Sequence, residues 1–128
     1  MNNRSKLLIV DDEELNRDFL QIILSKKYDV YTCGSVDNFY LLIKKIQFDL
    51  ILMDVCLHDR KDGIELTREL RKDKRYYKTP VLILTANNNR KTFTDAIDAG
   101  ANQFIGKPCE SKVVLNTVER YLTTIRLS

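Results

Sequence analysis

Five short apolar runs punctuate the chain, at residues 7–10, 30–32, 50–53, 81–84 and, more weakly, 104–105. They are rich in valine, isoleucine and leucine and do not alternate with polar residues, which predicts strands buried on both faces. Between them the apolar positions take on a helical spacing. Leu15, Phe19, Ile22 and Ile23 follow i, i+4, i+7, i+8, and Val36, Phe39, Tyr40 and Ile43 follow i, i+3, i+4, i+7. Each set predicts a helix with one apolar stripe. A third helix over residues 63–73 is less clearly striped. A fourth carries Phe93, Ala96 and Ile97 and stops at Gly100, a residue suited to a left-handed cap. Val114, Val118, Tyr121, Leu122 and Ile125 give a fifth, with Ser111 available as its N-cap.

Strand and helix therefore alternate five times. Parallel strands joined by right-handed crossovers follow, with helices covering both faces of the sheet. The expected fold is α/β, a (βα)5 doubly wound sandwich. The 128 residues suit one domain. With only two prolines and four glycines, no linker, repeat or low-complexity tract marks a second unit, so residues 1–128 are read as a single domain without an effector domain.

Composition narrows the class. Charged residues make up 30% and the hydrophobic set 44%, and no apolar run is long enough to cross a bilayer. Residues 1–6 lead directly into a short apolar segment with no longer apolar region or small-residue cleavage site behind it, so the expectation is a cytoplasmic protein. Cys33, Cys56 and Cys109 are odd in number and widely separated, which fits reduced thiols better than a disulfide framework or a zinc site. The net charge is only +3. The densest basic stretch, residues 68–78, is interleaved with Glu69 and Asp73 and reads as the solvated end of a helix, so direct nucleic-acid binding is not expected.

In an open parallel sheet, ligands bind beyond the carboxyl ends of the strands. The first strand runs into Asp11-Asp12-Glu13 and the third into Asp54, while the fourth ends at Thr85-Ala86 and the fifth runs into Lys107-Pro108. The crevice thus collects three acids, one hydroxyl and one ammonium. Three close carboxylates repel one another unless a cation sits between them. An all-oxygen set without histidine or thiolate points to Mg²⁺ over zinc. A carboxylate nucleophile, a hard metal, a movable ammonium and a hydroxyl are together what phosphoryl transfer to an aspartate needs. Each residue alone has a plainer role: Asp11 and Asp12 as acids at a helix start, Thr85 as a β-branched strand residue, Phe104 as core packing. His58, a single histidine in a charged loop, is expected to face solvent.

The ordered set Val10-Asp11-Asp12-Glu13, Leu52-Met53-Asp54, Asp62-Gly63, Leu84-Thr85-Ala86, Ala99-Gly100-Ala101 and Gly106-Lys107-Pro108 resembles the response-regulator receiver (CheY-like) family over nearly the whole chain. The resemblance implies a flavodoxin-like five-stranded sheet of order 2-1-3-4-5. It implies Asp54 as phosphoacceptor and Mg²⁺ held by Asp11, Asp12, Asp54 and the backbone carbonyl of Cys56. Thr85 and Lys107 would bind phosphoryl oxygens, the Lys107-Pro108 peptide would be cis, and Thr85 and Phe104 would be the switch pair. Cys56 and Asn87 fall at the two variable positions that flank the water attacking the acyl phosphate. The chain departs from the family in the loop after Asp54, which is one residue longer, more charged and without proline.

The resemblance further implies a two-component switch that is not an enzyme acting on other substrates. A sensor histidine kinase or phosphotransfer protein would phosphorylate it, and a downstream effector would read it. The face formed by the fourth helix, fifth strand and fifth helix, residues 90–125, would serve partners or self-association. Two other classes compete: a phosphorylation-independent interaction module, and an aspartyl-phosphate phosphatase of the haloacid dehalogenase type. The latter wants a second aspartate two residues after the nucleophile, where Cys56 stands.

Overall fold

The computed structural model describes residues 4–127, with side chains as far as residue 123, so residues 1–3 and the side chain of Ile125 lie outside the described part. The chain runs β1 (Lys6–Val10), α1 (Glu14–Leu24), β2 (Asp29–Cys33), α2 (Val36–Lys45), β3 (Leu50–Met53), α3 (Gly63–Lys72), β4 (Val81–Thr85), α4 (Arg90–Ala99), β5 (Gln103–Gly106) and α5 (Ser111–Leu127). The strands form one sheet in the order β2-β1-β3-β4-β5, with every neighbouring pair parallel. The alternation of element types in the sequence is thus the alternation in space.

Side chains of a strand point to opposite faces in turn, and both faces here are apolar. Leu8, Val10, Ile51, Met53, Val81 and Ile83 join Phe39, Leu66, Leu70 and Ala96 in one core, which packs α2, α3 and α4 against the sheet. Leu7, Ile9, Leu50, Leu52, Leu82 and Leu84 join Leu20, Leu24, Val114 and Val118 in the other, beneath α1 and α5. Two-sided burial is why the strands read as unbroken apolar runs.

Register positions the site. Val10 lies opposite Met53, so the residues that follow, Asp11 and Asp54, leave the sheet side by side. Thr85 lies opposite Gly106, which delivers Lys107 to the same end. The Asp54 amide N–H donates to the Val10 carbonyl at 2.9 Å and the Lys107 N–H to the Thr85 carbonyl at 2.8 Å, extending the ladder to the site residues.

Several helices differ from their sequence reading. On α1 the buried residues are Leu20 and Leu24, whereas Leu15 is 80%, Phe19 44% and Ile22 68% exposed. The stripe of longest apolar residues faces outward, and only Ile23 of the expected set packs against the core. On α4, Phe93 and Ile97 are likewise exposed, and Ala96 and Thr92 are inside. Gly100 takes φ 109°, the left-handed cap expected of it. The α5 helix starts at Ser111, and the Glu110 carbonyl accepts from the Val113 N–H at 3.0 Å, so Glu110 stands where Ser111 was expected. The basic stretch at residues 68–78 is not all solvated. The Arg71 guanidinium is half-buried and donates to the carbonyls of Gly100 at 2.9 Å, Tyr76 at 2.9 Å and Thr79 at 2.7 Å, and to Asn102 Oδ1 at 2.8 Å. Burial lowers its pKa.

Candidate functional site

Beyond the carboxyl end of the sheet lies a cleft of about 550 Å³ whose lining includes Asp12, Asp54, Cys56, Thr85 and Lys107. Asp11, beside them, is buried to 2% exposure. One carboxylate oxygen from each of Asp11, Asp12 and Asp54 lies within 4.8 Å of the others. Register explains Asp11 and Asp54. Asp12 follows in the bend between β1 and α1 and has its side chain 27% exposed, against 3% for Asp11 and 8% for Asp54.

Among the described residues, one side-chain cation pairs with the two buried acids. Lys107 Nζ stands 2.7 Å from Asp11 Oδ2 and 3.1 Å from Asp54 Oδ2. Burial works against its charge, yet the hydrogen bond to Asp11 and the charges of Asp54 and Asp11 together raise its pKa above the ordinary lysine value. Lys107 is an ammonium at any physiological pH. The peptide between Lys107 and Pro108 is cis, as expected.

Neighbouring donors orient the acids. Asp11 Oδ1 accepts from the Glu13 N–H at 2.9 Å, and its Oδ2 is also met by the Asn16 side-chain amide. Arg17 donates to the Asp11 carbonyl at 2.7 Å. Asn16 and Arg17 carried no sequence signal, being polar positions on a helix whose buried face was misplaced. Asp54 Oδ1 accepts from the Cys56 N–H at 3.2 Å, while its Oδ2 meets Lys107.

Thr85 is fully buried at the end of β4, and its Oγ1 accepts from the Asn87 N–H at 3.2 Å. The Asn87 side chain is exposed and accepts from Asn89, the N-cap of α4, at 2.9 Å. Phe104 is not brought into the cleft. It is half-buried on the other face of β5, edge to Phe93 with ring centroids 5.4 Å apart. The two rings line a separate groove with Arg90, Thr94 and Gly106.

The longer loop after Asp54 is well anchored. Its far end is capped reciprocally, the Asp62 side chain accepting from the Glu65 N–H at 2.9 Å and Glu65 from the Asp62 N–H at 3.2 Å. Asp59 Oδ2 accepts from the Val36 N–H at 3.0 Å, and Arg60 pairs with Asp37 at 2.7 Å. His58 takes φ 52°. Its ring is 80% exposed, as a loop histidine should be, but it does not merely face solvent: Nδ1 lies 2.5 Å from Asp12 Oδ2.

The donor set suits Mg²⁺. Three carboxylate oxygens converge, no thiolate or imidazole is among the three, and Lys107 is one positive charge against three negative. Cys109 lines the same cleft but is not one of the three converging groups, and burial raises its pKa and pushes the Cys33 thiol up to about 12. All three cysteines are free, and among the described residues no helix is long and apolar enough to cross a membrane.

Residues 7–119 match the family described as response regulator receiver domain. The chain is 34% identical over 120 residues to Protein PetR of Rhodobacter capsulatus, a match covering 93% of this chain and 49% of that protein. It thus spans about half the length of that relative. Among solved structures, it superposes with a TM-score of 0.88 and 31% identity on NtrX from Brucella abortus, covering 96% of this chain and 28% of that one. With the chemotaxis protein CheY4 of Vibrio cholerae, the TM-score is 0.86 and the identity 27%, covering 92% and 98%.

Proposed function

The chain belongs to the response regulator receiver family, and from that premise we propose that Asp54 accepts a phosphoryl group, with Mg²⁺ held beside it by Asp11, Asp12, Asp54 and the Cys56 carbonyl. The observation that carries this reading is the bridge of Lys107 Nζ between Asp11 and Asp54 at the edge of the three-acid cluster. In the proposed transfer, an Asp54 carboxylate oxygen attacks the phosphorus of a phosphohistidine on a kinase or phosphotransfer protein. The new P–O bond forms as the P–N bond breaks, and the departing imidazole takes up a proton. A bound Mg²⁺ supplies positive charge against the acids and the phosphoryl oxygens. Lys107 exchanges its carboxylate contact for a phosphoryl oxygen, and the Thr85 hydroxyl donates to another.

The donor protein docks over α1. Leu15, Phe19 and Ile22 leave an apolar stripe in water on that helix, and Phe19 also lines the cleft. Readout falls to the surface on the far side of β5, where the edge contact of Phe104 with Phe93 links strand to helix. Movement of Thr85 toward the phosphoryl group is the step that this contact reports.

The test is intact-mass analysis of wild type and Asp54→Asn after incubation with acetyl phosphate, with Mg²⁺ or with EDTA. A Mg²⁺-dependent gain of one phosphoryl group by wild type alone is expected. No gain in either folded protein would turn the reading to a phosphorylation-independent interaction module.

A further inference from the structure

Resting on the metal reading above, the geometry points to His58 as the residue that positions Asp12 to hold the metal. Asp12 is the exposed member of the acid cluster and needs such help. Asp11 is fixed by the Glu13 N–H, the Asn16 amide and Lys107, and Asp54 by the Cys56 N–H and Lys107. Among the described residues the Asp12 carboxylate has one hydrogen-bond partner, His58 Nδ1, 2.5 Å from Oδ2. Without it, a partly exposed aspartate samples several rotamers, and holding one of them for a metal carries an entropic cost.

The loop is built to present this ring. His58 has φ 52°, a left-handed conformation that histidine tolerates better than most side chains. On one side of it Leu57 is buried to 2% exposure and the Cys56 N–H is bonded to Asp54. On the other, Asp59 and Arg60 are tied to the first turn of α2.

His58 acts through Asp12 rather than as a ligand. The three converging oxygens come from Asp11, Asp12 and Asp54, and the imidazole stands outside that group. Since a carboxylate only accepts, Nδ1 carries the proton of this bond. The contact is made to Asp12 Oδ2 and leaves Asp12 Oδ1 for the metal.

Mn²⁺, read by loss of the free-ion electron paramagnetic resonance signal, reports binding directly without phosphorylation. Titrations at one fixed pH would compare wild type with His58→Gly and His58→Asn. Glycine accepts the left-handed backbone and deletes the donor. Asparagine also accepts it, and its Nδ2 stands at the same bond distance from the backbone as histidine Nδ1. Outer-shell partners typically contribute about 10–100-fold to metal affinity, and an exposed one less, so His58→Gly is expected to weaken Mn²⁺ binding about five-fold. His58→Asn should restore most of it, and in an Asp12→Asn background His58→Gly should change nothing further. Equal affinity in wild type and His58→Gly, or an equal loss with Asp12→Asn already present, overturns the positioning role and leaves the metal reading standing. Absence of Mn²⁺ binding by wild type overturns both. A thermal melt of each variant checks folding, and His58→Ala repeats the deletion without glycine's added freedom.

Discussion

Gly63 presses against Asp54 so closely that a Cβ on it would stand 2.0 Å from the Asp54 carbonyl oxygen and 2.8 Å from its carbonyl carbon. The first residue of α3 and the backbone of the proposed acceptor thus share a gap that only hydrogen fills. Gly63→Ala must move one of them. Because the capping box and the Gly63 N–H bond to the Val55 carbonyl hold α3 in place, the strain falls on the acceptor loop. The expected loss is about 1–3 kcal/mol in urea unfolding, together with slower phosphoryl uptake at Asp54. An unchanged unfolding midpoint would show that the loop yields freely.

Arg71 gives a second prediction. Its four hydrogen bonds join the end of α3 to the turn after α4 and to the segment before β4. Arg71→Met keeps most of the stem packing but strands the Gly100 and Thr79 carbonyls, so stability should fall by about 2 kcal/mol. Arg71→Lys should rescue little of it, since one ammonium cannot span acceptors placed around a planar fork. Full rescue by lysine in chemical denaturation would reduce Arg71 to a charge.

Cys33 sets an alkaline limit. Its thiol is held at about 12 by burial, with the Arg17 charge pulling only weakly the other way, against 9.0 when exposed. In the folded state the thiol keeps its proton as pH rises past the value at which the unfolded chain loses it. The protonated thiol's contribution to stability is therefore complete below pH 9.0 and lost progressively toward about 12. Melting temperatures across that window should fall more steeply for wild type than for Cys33→Ala. Parallel slopes would rule this thiol out as a cause.

The first helix separates length of side chain from burial. Leu20→Ala should cost about 2–5 kcal/mol, whereas Leu15→Ala and Ile22→Ala should lie within roughly 0.5 kcal/mol of wild type. The same two surface changes should slow transfer from a phosphohistidine donor while sparing acetyl phosphate. Slowed uptake from both donors would place the defect in the site rather than in docking.

That helix also marks where sequence reasoning stops. The strands and their ends were legible because two-sided burial writes itself as unbroken apolar runs, and each run finishes in the residue that reaches the cleft. Asp11, Asp54, Thr85 and Lys107 were therefore found together. The stripe of α1 was misread because the periodicity of Leu15, Phe19 and Ile22 is as regular as that of Leu20 and Leu24; spacing identifies a face, not whether core or partner covers it. Arg71 and His58 were read as solvated, yet folding brings them Gly100 and Asp12, which lie 29 and 46 residues away in the chain. A lone charge in sequence carries no sign of the acceptor that folding will bring to it.

The bonds from Asp59 and Arg60 to the first turn of α2 have a mechanical consequence. Cys56 grips the Asp54 carboxylate at one end of a short length of chain, and Val36 and Asp37 are held at the other. Under the proposed transfer, this connection would act as a linkage rod: charge arriving at Asp54 would pull the Cys56 amide, and the displacement would pass to the first turn of α2, adding a second surface that reports on the cleft beside the one beyond β5.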